Sequence, residues 1–149
     1  MFDLLSIGGT LKGNVGEVIY THHNRLAHRG RFDGHEWFDR VPYVIPSYLR
    51  DFLLKYWWTI DAFEFVIEKD VAVNIIFYEI KTCIFLNSKK KPLLTYNSLK
   101  FYRLCQHNAF KVKTVKVVFH TNWKYEMIIS DFCENHFEIR SGNPRFSKK

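Results

Sequence analysis

Apolar residues recur at helical spacing over residues 10–28. Leu11, Val15, Val18, Ile19, His22 and Leu26 fall on one stripe, the 3.6-residue period of an amphipathic helix, and Thr10 is placed to cap its start. The opposite face carries Gly13, Gly16, Glu17, Tyr20 and Asn24. Glycine inside a helix costs about 1 kcal/mol relative to alanine, so two of them need a reason, and close approach of another backbone is one. The pattern breaks over 29–46, where Arg29-Gly30-Arg31, Asp33-Gly34, Pro42 and Pro46 predict a long loop, a length at which loops are often functional. Ser47 is placed to cap a second helix reaching Tyr56, with Leu49, Phe52, Leu53 and Tyr56 on its apolar side.

The period then changes to that of strands. Trp57–Ile67 and Val71–Phe85 are rich in aromatic and β-branched residues, and Glu68-Lys69-Asp70 between them predicts the turn of an antiparallel hairpin. Residues 89–92 read as a loop. Residues 96–110 read as a helix with Thr95 as its cap and Leu99, Tyr102 and Phe110 as anchors. Thr114–His120 and Tyr125–Ser130 read as two more strands, joined near Thr121–Lys124, and the tail is expected to fray from Arg140. Helices and strands in this order make a single α+β or mixed α/β domain.

The composition fits one globular domain: 149 residues, 47% hydrophobic, 25% charged and 17% aromatic. No apolar stretch nears the roughly 18 residues of a membrane span. No basic region precedes a long apolar segment at the N-terminus, so neither a signal peptide nor a membrane partner is expected. Cys83, Cys105 and Cys133 stand 22 and 28 residues apart with no CxxC pair, which matches small buried thiols of a reducing, cytoplasmic compartment better than a disulfide framework or zinc ribbon.

Charge changes the picture. Residues 1–82 hold nine Lys/Arg against eleven Asp/Glu, and residues 83–149 hold thirteen against four. No carboxylate lies between Glu79 and Glu126, a span that contains Lys89, Lys90, Lys91, Lys100, Arg103, Lys111, Lys113, Lys116 and Lys124. An unbalanced cationic segment of this length suits a polyanion. Aromatics interleave with it, and Trp123 is the candidate for stacking on an exposed base. His22, His23, His28 and His35 crowd near the first loop, at spacings that match neither HExxH nor a zinc finger.

Chemistry concentrates at Glu79-Ile80-Lys81. Side chains alternate along a strand, so Glu79 and Lys81 share a face. If Ile67 pairs with Val71, Asp61 faces Phe77 and lies diagonally from Glu79 on that face; a register shifted by one would bring in Glu64 instead. Two carboxylates and a lysine suit a divalent ion such as Mg²⁺, which takes oxygen ligands and completes its shell with waters and substrate phosphate. The lysine stays close without being a ligand and acts on the attacking water. Glu17 offers a third carboxylate from the glycine-bearing face of the first helix.

Asp61 followed by Glu79-Ile80-Lys81, with Gly13-Asn14-Val15-Gly16-Glu17 on an N-terminal helix, resembles the PD-(D/E)XK nuclease superfamily, which includes restriction endonucleases, archaeal Holliday junction resolvases and RecB-type nucleases. The resemblance covers roughly residues 10–120. Ile60 stands where the name of the motif has proline, and the 44 residues from Glu17 to Asp61 leave 29–46 as an insertion. The resemblance implies a restriction-endonuclease-like core, a central mixed β-sheet flanked by helices, and a Mg²⁺- or Mn²⁺-dependent nuclease acting on DNA, with RNA as the other substrate left open. By that likeness Asp61, Glu79 and the Ile80 carbonyl hold the metal, Lys81 acts on the water, and Glu17 matches the helix carboxylate. A homodimer is one assembly it allows. Lys89, Lys90, Lys91, Lys100, Arg103 and Lys111 are the expected phosphate contacts. The alternative is a binding module for nucleic acid that keeps the basic segment and lacks catalysis.

Overall fold

The computed structural model of the chain describes residues 15–20, 38 and 40–141. Residues 15–20 are helical (α1). The other elements are α2 (Ser47–Lys55), β1 (Ala62–Glu68), β2 (Val71–Ile84), β3 (Leu93–Thr95), α3 (Tyr96–His107), β4 (Lys111–Phe119), β5 (Tyr125–Asp131) and β6 (Glu138–Arg140), linked in part by short 3₁₀ turns. The chain is mixed α+β. A four-stranded mixed sheet in the order β1-β2-β4-β5 is flanked by helices, and β3 pairs with β6 in a separate two-stranded sheet. β1 runs antiparallel to β2, β4 parallel to β2, and β5 antiparallel to β4. The parallel step needs a crossover, and α3 supplies it.

The sheet separates two apolar clusters. On one face Ile75 and Phe77 of β2 and Phe63 and Phe65 of β1 pack with Leu49 and Leu53 of α2 and Leu99, Phe101 and Cys105 of α3. Aromatic edges close this core: the Phe52 and Phe110 rings lie 4.9 Å apart, and Phe77 lies 5.4 Å from Phe101. On the other face Tyr78 and Ile80 of β2 and Val115, Val117 and Phe119 of β4 pack with Val15, Ile19 and Tyr20 of α1.

Several boundaries differ from the sequence pattern. Of the proposed helix over 10–28, only 15–20 lies within the described residues; Val18, assigned to the apolar stripe, is exposed, whereas Gly16, Glu17 and Tyr20 are buried. Pro46, not Ser47, is the residue before α2, and its carbonyl accepts the amides of Leu49 and Arg50, each at 3.1 Å. Trp57-Trp58-Thr59 forms a 3₁₀ turn rather than the start of a strand, because Trp57 is anchored in the core against Phe38 and Phe63, and that burial overrides the strand preference of aromatic residues.

Thr95 caps α3 as expected, its side chain accepting the Ser98 amide at 3.2 Å. The helix stops at His107 instead of 110, since Ala109 takes a left-handed φ of 64°, and Phe110 packs from the connection to β4. Arg140 pairs with Thr95 in the β3–β6 ladder, and the tail beyond residue 141 lies outside the described residues. Within the 29–46 insertion, Phe38 is buried and Val44 bridges to Val71. Residues 29–37 and 39 of that loop, and the four clustered histidines, lie outside the described residues, as does the side chain of Trp123.

Among the described residues no helix is long and apolar enough to cross a membrane.

Candidate active site

The hairpin turns on two residues, Lys69 and Asp70, with φ of 50° and 65°, the all-positive pattern of a type I′ turn. The ladder pairs Glu68 with Val71 and Ile67 with Ala72, slips by one residue, and then pairs Val66 with Asn74 through Ala62 with Tyr78. The tighter turn and the slip each move the pairing by one position. Together they shift it by two, and a shift of two preserves the faces. Asp61 therefore stays on the side of Glu79. Glu64 is turned to the opposite face, where the Tyr78 hydroxyl donates to it.

β2 continues past the end of β1, which would leave the Ile80 amide without a ladder partner. The Asp61 carboxylate takes that place, Oδ2 accepting the Ile80 N–H at 3.0 Å, as a backbone donor at a strand edge requires. One residue away, Glu79 is 5% exposed. The Tyr102 hydroxyl of α3 donates to its Oε1, and Lys81 Nζ lies 3.1 Å from its Oε2. A carboxylate is tolerated this deep because it is paired and hydrogen-bonded.

Burial, and after it the charges of Glu79 and then Asp61, hold the Tyr102 hydroxyl well above the ordinary tyrosine pKa. Both carboxylates thus act on one hydroxyl, which places Asp61, Glu79, Lys81 and Tyr102 in a single constellation. Thr114, the β4 neighbour of Glu79, is buried, and its Oγ1 has no hydrogen-bond partner among the described residues.

On the other face, a Cβ added to Gly16 would collide with the Thr82 methyl and come within 3.7 Å of Ile80 Cγ2. The glycine thus admits α1 onto β2. Glu17 is buried in the same turn, 4% exposed, on a helix packed across the sheet from Tyr102.

Beyond Glu79, Lys81 reaches into a cavity of about 200 Å³ that Lys90, Lys91, Lys116, Asn87 and Cys83 also line. Lys81 and Lys116 are register partners on β2 and β4, and Lys116 Nζ donates to the Ser88 carbonyl, fastening the intervening loop to the sheet. Of the expected phosphate contacts, the fold gathers Lys90 and Lys91 beside Lys81. Lys89 is exposed on the same loop. Lys100 lies over the Tyr96 ring and Arg103 is engaged by Glu134 at 2.7 Å. Lys111 opens β4, five residues before Lys116, and lines a different cleft with Lys113 and Asp131.

Asp61, Glu79 and the Ile80 carbonyl would offer oxygen donors of the kind magnesium takes. Each carboxylate oxygen has more than one lone pair, so the bonds to Tyr102, Lys81 and Ile80 do not exhaust them. Among the described residues no three His, Cys, Asp or Glu side chains converge as a cage, so waters and substrate oxygens would supply the remainder. Sequence reasoning placed Tyr102 in the core and missed its hydroxyl. The available signal was a tyrosine, rather than phenylalanine, on an apolar helix stripe opposite a strand glutamate.

No family model, curated protein or solved structure matches this chain.

Proposed function

We propose that this chain is a metal-dependent nuclease with a restriction-endonuclease-like core, hydrolysing phosphodiester bonds in DNA. One observation carries the reading: Asp61, Glu79 and Lys81 converge on one face of the sheet at the edge of a cavity lined by four lysines. Asp61, Glu79 and the Ile80 carbonyl would hold Mg²⁺ or Mn²⁺, which supplies charge stabilisation at the phosphate and lowers the pKa of a bound water. Lys81 bridges the two halves of the site. Its ammonium neutralises Glu79 and orients the water while facing the phosphate side. Lys90, Lys91 and Lys116 hold the flanking backbone by charge. Tyr102 positions Glu79. Glu17, expected as a third acidic group, is buried on the helix that Gly16 admits onto β2, on the face of the sheet opposite Asp61 and Glu79, and takes no part in this reading.

The second reading, a nucleic-acid-binding module, is favoured by the engagement of both Glu79 oxygens with Tyr102 and Lys81. Cleavage of plasmid DNA with and without Mn²⁺ separates the two. Cleavage is expected only with metal. Asp61→Ala and Glu79→Ala are expected to abolish it while DNA binding stays within a few-fold, and Lys81→Ala to abolish it while Mn²⁺ binding by calorimetry persists. DNA binding without metal-dependent cleavage would leave the module reading.

A further inference from the structure

The turn that follows β2 carries two large apolar side chains into solvent: Phe85 is 55% exposed and Leu86 is 85% exposed. They are held by the backbone rather than by a core. The Ser88 amide donates to the Phe85 carbonyl and the Lys90 amide to the Asn87 carbonyl, each at 3.1 Å, and Lys116 ties the turn to β4 through the Ser88 carbonyl. The Phe85 ring rests on the His120 imidazole at the end of β4, with centroids 4.7 Å apart and planes 32° from parallel.

The same turn forms the rim of the lysine cavity, since Asn87, Lys90 and Lys91 line it together with Lys81 and Lys116. Among the described residues no carboxylate lines that cavity. The Lys81 ammonium is paired with Glu79 and that of Lys116 donates to the Ser88 carbonyl, so Lys90 and Lys91 supply the cationic charge that an anion in the cavity would neutralise. An apolar pair on the turn that rims a lysine-lined cavity offers the two halves of a nucleotide matching surfaces. In a duplex, neighbouring bases cover the faces of each base. An aromatic side chain gains a stacking partner only where a base is unpaired, at an end, or splayed out at a branch.

We propose that Phe85 and Leu86, backed by His120, together with the four-lysine cavity form a site for an unpaired nucleotide of DNA, its phosphate in the cavity and its base against the two apolar side chains. The proposal rests on the nucleic-acid part of the reading above and not on cleavage. It deepens that reading by naming the substrate class: DNA with a single-stranded segment or end, in preference to continuous duplex.

The test is fluorescence anisotropy of the full chain in EDTA, with a labelled single-stranded oligonucleotide and a duplex of the same sequence. The single strand is expected to bind more tightly. Phe85→Ala with Leu86→Ala is expected to weaken it about tenfold, the order expected for losing one stacked base, and to leave duplex affinity within twofold. Both side chains are exposed, and an unchanged thermal melt checks that the fold persists. Lys90→Glu with Lys91→Glu is expected to weaken both probes and to flatten their salt dependence. Equal affinity of the unmodified chain for the two probes, or equal effects of the apolar double substitution on both, overturns the proposal and leaves the nuclease reading standing. Failure of the unmodified chain to bind either probe overturns both.

Discussion

The hydroxyl of Tyr102 donates to Glu79 where that carboxylate has little access to water. Such a bond is worth more than its net contribution elsewhere, because its removal leaves a buried acceptor short of a donor. Tyr102→Phe keeps the ring among its neighbours, including Phe132 at 5.1 Å, and deletes only the donor. The variant is expected to lose about 1–3 kcal/mol of stability at pH 7, measured by urea denaturation. In a double-mutant cycle with Glu79→Gln, the two losses should not add, because the groups touch. Additive losses would mean that the hydroxyl serves something other than Glu79. Asp61 has a comparable double use: the bond that closes the strand edge at Ile80 also fixes the carboxylate beside Glu79, so fold and candidate chemistry draw on the same side chain.

At the scale of elements, the hairpin shows what the sequence could and could not specify. Alternation along β2 made the shared face of Glu79 and Lys81 legible, and the choice of Asp61 over Glu64 was right in parity. The register itself was not legible. Lys69-Asp70 lacks the glycine that usually marks a type I′ turn, and the slip that leaves Val73 as the extra residue of β2 has no glycine either. Two displacements of one residue added to a shift of two, which left every side chain on its expected face. Trp57-Trp58-Thr59 failed for another reason: strand preference reports fit to a half-buried pleated surface, and here a tertiary pocket for Trp57 decides. The pairing of β3 with β6 joins segments more than forty residues apart, with three residues on each side, too short for any periodicity to show. Among the described residues four non-glycine ones take positive φ, including Ala109 just past the end of α3. That position favours glycine because its Cβ is the source of the steric cost. Ala109→Gly is therefore expected to raise stability by about 1 kcal/mol, read as a higher melting temperature. A loss instead would show that the Ala109 methyl contributes packing that outweighs the relieved strain.

The molecule as a whole keeps several ionisable groups protonated in its interior. Burial, reinforced by the bond to Glu64, raises the Tyr78 hydroxyl. Burial and the two carboxylates raise Tyr102. Burial raises Tyr43 and the Cys105 thiol as well. In the unfolded chain these groups release protons near the ordinary values of about 8.5 for cysteine and about 10 for tyrosine. Above those values the folded chain binds more protons than the unfolded one, so the stability they confer is full below the ordinary pKa and falls as pH rises toward the folded value. Each group contributes a slope of up to about 1.4 kcal/mol per pH unit. With Tyr78, Tyr102 and Cys105 acting in the same direction, stability is expected to fall increasingly steeply above about pH 10. Urea midpoints taken from pH 8 to 11 should fall over the upper half of the range, and Tyr78→Phe with Tyr102→Phe should remove much of that slope above pH 10. This alkaline arm belongs to the core alone. It should persist at high salt, where binding of a polyanion to the lysine cavity is screened away, so the two kinds of electrostatics in this chain are separable by salt and pH. A slope unaltered by the double substitution would assign the alkaline transition to other groups.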